Sequence, residues 1–224
     1  DIDGKDSVGW FGSSIAINAK GNRLVVGAPL NGEVHHSAGQ VSVYELVGGS
    51  WIQLGNSING VATHDQSGAS VSINASGNII AIGAPQNDGI ASNAGHVRVY
   101  QLNTNVWQQV GSDIDGKATG DWSGYSVDLS ADGNKIAIGA PADRGHVRVY
   151  RWTGTSWLQQ GGDVAGEALQ DGFGVSVNLS GDGTTFIAGA ATNNGAGLLA
   201  GHARIYKWSG SSWVQQGVDI DGEM

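Results

Sequence analysis

The sequence predicts an all-β fold made of four copies of one repeat, and three observations carry that prediction. A Gly-Ala-Pro segment closes an apolar stretch at residues 27–29, 83–85 and 139–141, and residues 189–191 are a degenerate fourth copy. One tyrosine and one tryptophan mark each repeat, at residues 44 and 51, 100 and 107, 150 and 157, and 206 and 213. No segment has the apolar period of a helix.

The third repeat shows the elements of the unit. Residues 126–130 and 146–150 alternate in polarity as two-faced strands do, and an Asp-Gly-Asn hairpin at 132–134 leads into a second strand at 135–139. A fourth strand begins at Trp157. Four short antiparallel strands in a unit of 50–56 residues are typical of a β-propeller blade.

We therefore predict a single β-propeller domain over residues 1–224. The blades are expected at about 9–66, 67–122, 123–172 and 173–224. The segment Asp-Ile-Asp-Gly occurs both at 1–4 and at 219–222. That duplication fits a closed ring of four blades and fits equally four blades excerpted from a longer propeller or repeat array.

The first unit resembles the FG-GAP repeat of integrin α-subunit propellers. The resemblance lies in Phe11-Gly12, in Gly27-Ala28-Pro29 and in the strand at 39–44, and Phe173-Gly174 repeats the first element. It implies a propeller and an adhesion function. Integrin-type repeats carry a calcium loop between the first two strands, but here these hairpins hold at most one carboxylate each. Calcium needs six to eight oxygen ligands, so it is not expected in them.

Composition excludes several classes of partner and cofactor site. The formal charge of −9 disfavours nucleic acid, whose phosphates require a basic footprint. The absence of cysteine removes disulfides and thiolate metal sites. No apolar run approaches the ~20 residues of a transmembrane helix.

Most carboxylates fall in the predicted loops between blades, which should emerge on one face and make it strongly acidic. Alternate carboxylates in Asp-Ile-Asp-Gly could aim oxygens at a divalent cation such as calcium. The candidate metal ligands are Asp113, Asp115, Asp163, Asp219 and Asp221. The alternative is that these residues form turns. The second unit has Ser57-Ile58-Asn59-Gly60 at this place, which favours the structural interpretation.

Two tryptophans do not follow the repeat. Trp10 and Trp122 stand where the other units have Gln66 and Gly172, at the end of acidic loops. An exposed ring beside carboxylates is a common way to hold a sugar, and a loop anchor in the rim is the alternative. The candidate ligand-binding residues are Trp10, Trp122, Asp65, Asp121 and Asp171.

The histidines fall into two groups. His96, His146 and His202 recur at the start of the third strand, which favours a structural role. His35, His36 and His64 are singular and lie in predicted loops, so they are better candidates for contact with a metal or a ligand.

No catalytic motif is present, and the carboxylates recur in repeated copies without the asymmetry that separates an acid from a base. The sequence thus predicts a non-catalytic extracellular module, secreted or on the cell surface, that binds a glycan or protein on its acidic face and requires no cofactor. One alternative is a structural repeat module that self-associates in a surface layer, stalk or filament. The other is a hydrolase-like enzyme.

Overall fold

The computed structural model describes residues 1–4, 6–195 and 197–223, and regular structure in those residues consists of β-strands alone. Twenty strands form four antiparallel sheets that follow one another along the chain. The prediction of an all-β propeller with four blades is confirmed.

Blade 1 contains β1 Ser14–Ile17, β2 Arg23–Ala28, β3 Gln40–Val47, β4 Ser50–Gln53 and β5 Ile58–Asn59. Blade 2 contains β6 Ser70–Ile73, β7 Ile79–Ala84, β8 His96–Asn103, β9 Val106–Gln109 and β10 Ile114–Asp115. Blade 3 contains β11 Ser126–Leu129, β12 Lys135–Ala140, β13 His146–Trp152, β14 Trp157–Gln159 and β15 Val164–Ala165. Blade 4 contains β16 Phe173–Leu179, β17 Thr185–Ala190, β18 His202–Trp208, β19 Trp213–Gln215 and β20 Ile220–Asp221.

The outer strand of every blade is split in two. In blade 1, β4 pairs with the end of β3, and β5 pairs with its beginning, through Gln40–Asn59 and Val41–Ile58. Gly55 lies between the two halves with a φ of 75°, a left-handed conformation that glycine adopts without steric cost. Segments such as Asp-Ile-Asp-Gly at 219–222, which the sequence predicts to be loops between blades, therefore still contribute to the outer strand.

The core lies between blades rather than inside them. Val25, Val41 and Val43 of blade 1 pack against Ile80 and Ile82 of blade 2 in one buried cluster. Equivalent clusters lie between blades 2 and 3 and between blades 3 and 4. Each blade thus presents one apolar face to the blade before it and another to the blade after it.

The glycine of the Gly-Ala-Pro segment is required by the close approach of neighbouring blades. A Cβ on Gly27 would lie 2.1 Å from the carbonyl oxygen of Gly68, and one on Gly83 would lie 2.0 Å from that of Gly124. Gly139 meets Gly174 in the same way at 2.0 Å. Part of the glycine content is therefore explained by contacts between the backbones of adjacent blades.

The four blades form an open arc. The innermost strands β1, β6, β11 and β16 pack in sequence order, but no strand of blade 4 packs on blade 1 in this manner among the described residues. Ile15 of β1 is consequently 72% exposed, whereas its equivalent in blade 2, Val71, is 8% exposed beneath blade 1. Of the two arrangements that the sequence left open, a ring closed within one chain is not the one observed.

Candidate functional site

Trp10 and Trp122 line the same cleft, although 111 residues separate them in the sequence. The cleft has a volume of about 470 Å³. We call it the tryptophan cleft and define it by the residues that line it: Trp10, Ser13, Pro29, Gln66, Ala69, Pro85, Gln86, Trp122 and Tyr125. Blades 1, 2 and 3 all contribute, each through the segment that leads into its innermost strand.

Local backbone geometry turns both indoles outward. Trp10 and Trp122 each have a φ of 55°, in the left-handed region, and each begins a tight turn. The carbonyl of Trp10 accepts a hydrogen bond from the Ser13 amide at 3.0 Å, and that of Trp122 accepts one from the Tyr125 amide at 3.1 Å. Trp10 is 66% exposed and Trp122 is 42% exposed.

The cleft combines aromatic surface with amide groups. The Trp122 ring stacks on that of Tyr125, with centroids 6.5 Å apart and planes at 22°. Gln66 and Gln86 supply donors and acceptors beside them. An aromatic platform with a few polar groups is suited to a sugar-like molecule, which has an apolar ring face and polar edges.

The three carboxylates predicted to bind ligand beside these rings instead hold their own loops. Asp65 is 2% exposed and accepts hydrogen bonds from the Ala62 amide at 2.9 Å and the Asn87 side chain at 3.0 Å. Asp171 makes the equivalent bonds, and Asp121 accepts from two consecutive amides. Their oxygens are thus engaged with the protein, and none of the three lines the tryptophan cleft.

The predicted metal ligands lie on or beside the outer strands of three blades, so the five do not share one site, although Asp113 and Asp115 come together beside His96. Asp113 pairs with Arg98 at 2.6 Å, Asp163 with Lys117 at 2.7 Å and Asp219 with Arg204 at 2.6 Å. The residues Asp115 and Asp221 end the strands β10 and β20. These aspartates belong to blades rather than to the loops, and much of the expected acidity is neutralised by these cations.

Two groups on these outer strands bring a histidine close to carboxylates. They are His96 with Asp113 and Asp115, and His202 with Glu167 and Asp219, and their ligand atoms lie within 4.8 Å of one another. Each group contains enough donors to hold a metal ion in principle.

An arginine already supplies the positive charge in both groups. Burial raises the pKa of Asp113, but hydrogen bonds from Arg98 and Gln109 outweigh it and leave that pKa below its ordinary value. The hydrogen bond from Arg204 lowers the pKa of Asp219. A metal would have to displace a guanidinium group at either place.

A hydrogen-bonded histidine pair lies on the same face as the cleft. The Nδ1 atom of His36 and the Nε2 atom of His64 are 3.1 Å apart, and the Ser37 hydroxyl lies 3.3 Å from the same Nδ1. His64 precedes Gln66 of the cleft by two residues. The backbone N–H of Gln66 donates a hydrogen bond to the carbonyl of Ser37 at 3.2 Å. The sequence marked both histidines as singular, but 28 residues separate them and their pairing could not be foreseen.

Asp128 is a carboxylate that the sequence analysis did not single out. It lies on β11 and joins three innermost strands, accepting from the Ser72 hydroxyl at 2.9 Å, the Leu179 amide at 2.7 Å and the Asn178 side chain at 3.0 Å. Burial raises its pKa above the ordinary value. The sequence did contain one signal for it: the equivalent position is uncharged in the other units, which have Ala16, Ser72 and Asn178 there.

A second cavity, of about 430 Å³, lies along the free face of blade 1 and includes Tyr44 and Ser42. In blades 2, 3 and 4 the position of Ser42 is an arginine, and the preceding blade covers that face. We therefore attribute this cavity to the missing neighbour of blade 1 and not to a ligand site.

Comparison with known proteins relates the chain to propeller enzymes through its fold. No family model and no curated protein sequence matches it. Among solved structures it is similar to a candidate 6-phosphogluconolactonase from Bacteroides uniformis, with a TM-score of 0.65 and 11% identity over 94% of this chain. It is also similar to the periplasmic gluconolactonase of Pseudomonas aeruginosa, with a TM-score of 0.63 and 17% identity over 95% of this chain.

A third similar structure is a candidate 6-phosphogluconolactonase from Bacteroides fragilis, with a TM-score of 0.62 and 11% identity over 93% of this chain. The matched region makes up only 54–58% of these three neighbours, so the chain spans little more than half of their length. At these identities the likeness shows the propeller fold.

These comparisons correct two expectations. The resemblance to the integrin FG-GAP repeat is wrong, because no family model matches and the similar structures are described as lactonases. The Phe-Gly and Gly-Ala-Pro segments reflect the packing of blades. The prediction of a non-catalytic adhesion module is wrong for the same reason, since the neighbours carry the names of enzymes. None of the described residues belongs to a helix long and apolar enough to cross a membrane.

Proposed function

We propose that this propeller hydrolyses lactones, the cyclic esters of sugar acids, and that the tryptophan cleft binds the substrate. One observation carries the proposal: Trp10 and Trp122, from units 1 and 3, are brought into one cleft with Gln66 and Gln86. The names of the structural neighbours support the same substrate class.

The cleft offers a lactone ring both kinds of contact that it needs. The indoles of Trp10 and Trp122 would cover its apolar face, while the amides of Gln66 and Gln86 would bond to its hydroxyl groups. These are uncharged partners, and a neutral lactone brings no charge that must be compensated.

Hydrolysis requires a base to take a proton from water and an acid to return one to the ring oxygen. Water then attacks the carbonyl carbon, the ring C–O bond breaks, and a hydroxy acid is formed. The pair His36 and His64 is the acid–base candidate beside the cleft, because His64 precedes the cleft residue Gln66 by two residues and the carboxylate of the intervening Asp65 is engaged with its own loop. One nitrogen of each ring is used in their mutual contact, and the other makes no hydrogen bond among the described residues.

Hydrolysis of glucono-1,5-lactone by His36→Gln and His64→Gln, followed against the spontaneous rate, tests this assignment. Each variant should lose on the order of 100-fold in kcat, the usual contribution of a positioned acid or base. His35→Gln is the matched control, because His35 is an exposed neighbour of the pair whose side chain makes no hydrogen bond among the described residues. Equal activity of all three variants would remove the histidine pair from the reaction.

We further propose that the protein acts outside the cytoplasm, secreted or at the cell surface. The periplasmic location of one neighbour supports this. Fractionation of source cells tests it: recovery in the cytoplasmic fraction alone would contradict it.

A further inference from the structure

The three interfaces between blades repeat the same contacts. The hydroxyl of Ser14 donates to the carbonyl of Gly68 in the next blade at 2.7 Å, and Ser70 and Ser126 do the same to Gly124 and Gly174. In the other direction, the indole of Trp107 donates to the carbonyl of Leu54 at 2.9 Å. Trp157 and Trp213 repeat that bond toward blades 2 and 3.

Blade 1 carries one half of this interface without a partner. We call its free face the leading edge, defined by Ile15, Ile17, Tyr44 and Trp51. Ile17 is 59% exposed, whereas its equivalent in blade 2, Ile73, is buried beneath blade 1. Among the described residues the Trp51 indole makes no counterpart of the Trp107 bond.

Blade 4 carries the other half. We call its free face the trailing edge, defined by Ser176, Ile187, Ile205 and Ile220. Ile187 is 37% exposed, whereas its equivalent in blade 1, Val25, is fully buried by blade 2. The glycine of this edge also has no neighbouring blade against it, because a Cβ on Gly189 would meet the side chains of Ser176 and Val175 of its own blade and no backbone of another.

We propose that the trailing edge of one copy of this chain binds the leading edge of a second copy, so that two chains join head to tail into one ring. The contact would be a further copy of the interface already present three times in each chain. Ser176 would donate to the carbonyl of Gly12, and Trp51 to the carbonyl of Gln216, the equivalent of Leu54.

Two features favour a second copy as the occupant. An edge is complementary to the opposite edge and not to itself, since the Ser176 hydroxyl needs a carbonyl that only the leading edge presents. Similar propellers are also longer, and this chain accounts for 54–58% of them, so a second copy supplies a matching length of blades. A head-to-tail contact closes into a ring when the rotation permits it.

Light scattering coupled to size exclusion at micromolar concentration tests this inference, which does not depend on the proposed activity. The wild type is expected at twice the 22.9 kDa of one chain. Ile15→Asp in the leading edge and Ile187→Asp in the trailing edge should each give monomers, because every contact then contains a buried charge. Ile52→Asp is the control. Ile52 lies near the interface between blades 1 and 2 but is 54% exposed to solvent, so a charge there is not buried and this variant should remain dimeric.

Mixing the two variants gives the decisive result. The intact trailing edge of Ile15→Asp can bind the intact leading edge of Ile187→Asp, so the mixture should recover dimers through one sound contact. Failure of the mixture to dimerise would overturn the head-to-tail arrangement. A monomeric wild type would also overturn the inference, and the edges would then be assigned to contacts with further blades of the same type. Polymers longer than two chains would overturn the closed ring.

Discussion

The indole of Trp107 donates a hydrogen bond to the carbonyl of Leu54 in the preceding blade at 2.9 Å, and both residues are buried. This bond, which Trp157 and Trp213 repeat, explains why a tryptophan lies at the start of the fourth strand in blades 2, 3 and 4. Its ring fills the interface between two blades, and its nitrogen satisfies a carbonyl that the split outer strand leaves free.

Trp107→Phe should therefore destabilise the protein. The variant keeps most of the apolar contact but leaves the Leu54 carbonyl buried without a donor, which costs about 1–3 kcal/mol. Urea unfolding gives the free energy of unfolding. Trp51→Phe is the matched control, measured where the chain is monomeric, because Trp51 makes no such bond among the described residues. An equal loss in both variants would show that the bond contributes nothing.

The contact between Gly83 and Gly124 leads to a second prediction. A Cβ on Gly83 would lie 2.0 Å from the Gly124 carbonyl oxygen, so Gly83→Ala must push two backbones apart and should cost about 3 kcal/mol. Gly189→Ala is the matched control, because its Cβ would meet only side chains of its own blade, those of Ser176 and Val175, and no backbone. Thermal unfolding of the two variants compares them at concentrations that keep the chain monomeric, and a melting temperature for Gly83→Ala equal to that of the wild type would contradict the observed packing.

The ion pair between Asp219 and Arg204 predicts how the free energy of unfolding depends on pH. The hydrogen bond from Arg204 lowers the pKa of Asp219 in the folded chain, so the folded state favours the charged carboxylate. That stabilisation is present above the ordinary aspartate value near 3.9 and is lost as the pH falls through the lower folded pKa. The wild type should thus lose more stability than Asp219→Asn as the pH falls below about 4.

Denaturant unfolding at pH 5 and at pH 3 measures this difference. Asp221→Asn serves as control, since Asp221 lies two residues further along the chain and forms no ion pair among the described residues. An identical acid response of Asp219→Asn and the wild type would mean that the ion pair does not influence folding.

Calcium should have little effect on the folded chain. Arg98 and Arg204 already neutralise the carboxylates in the two groups that bring histidine and aspartate together. Calorimetric titration with calcium, together with melting curves in calcium and in a chelator, should therefore give no heat of binding and no shift. A rise in melting temperature at millimolar calcium would reveal a site that these arginines do not block.

The sequence was sufficient for the fold because the repeat fixes the same residue types at the same structural positions. Gly83, Tyr100 and Trp107 recur in register, and Gly83 meets the backbone of Gly124 in the next blade as Trp107 meets the carbonyl of Leu54 in the preceding one. The outer strand was harder to predict. The two-residue strand Ile114–Asp115 is too short to show a period, so its aspartate was placed in a loop.

The candidate site was only partly accessible from the sequence. Trp10 and Trp122 were found because they break the repeat, and the structure brings them together. That Asp65 bonds to its own loop and does not line the cleft with these rings was not predictable, since an aspartate that caps its own loop has the same sequence appearance as a ligand. The contact between His36 and His64 depends on how two loops meet, which neither loop encodes alone.

Whether the tryptophan cleft binds a lactone is measured by the kcat/KM for hydrolysis of glucono-1,5-lactone by the wild type, Trp10→Ala and Trp122→Ala. Leu198→Ala serves as control, because Leu198 is an exposed apolar residue that does not line the cleft. If the tryptophan cleft binds the lactone, hydrolysis by the wild type exceeds the spontaneous rate. Each tryptophan variant then loses on the order of 10-fold in kcat/KM, the equivalent of one aromatic contact of about 1.4 kcal/mol, while Leu198→Ala matches the wild type. A wild type that only matches the spontaneous rate would show that the protein is not a lactonase for this substrate, and tryptophan variants as active as the wild type would show that the cleft does not bind it.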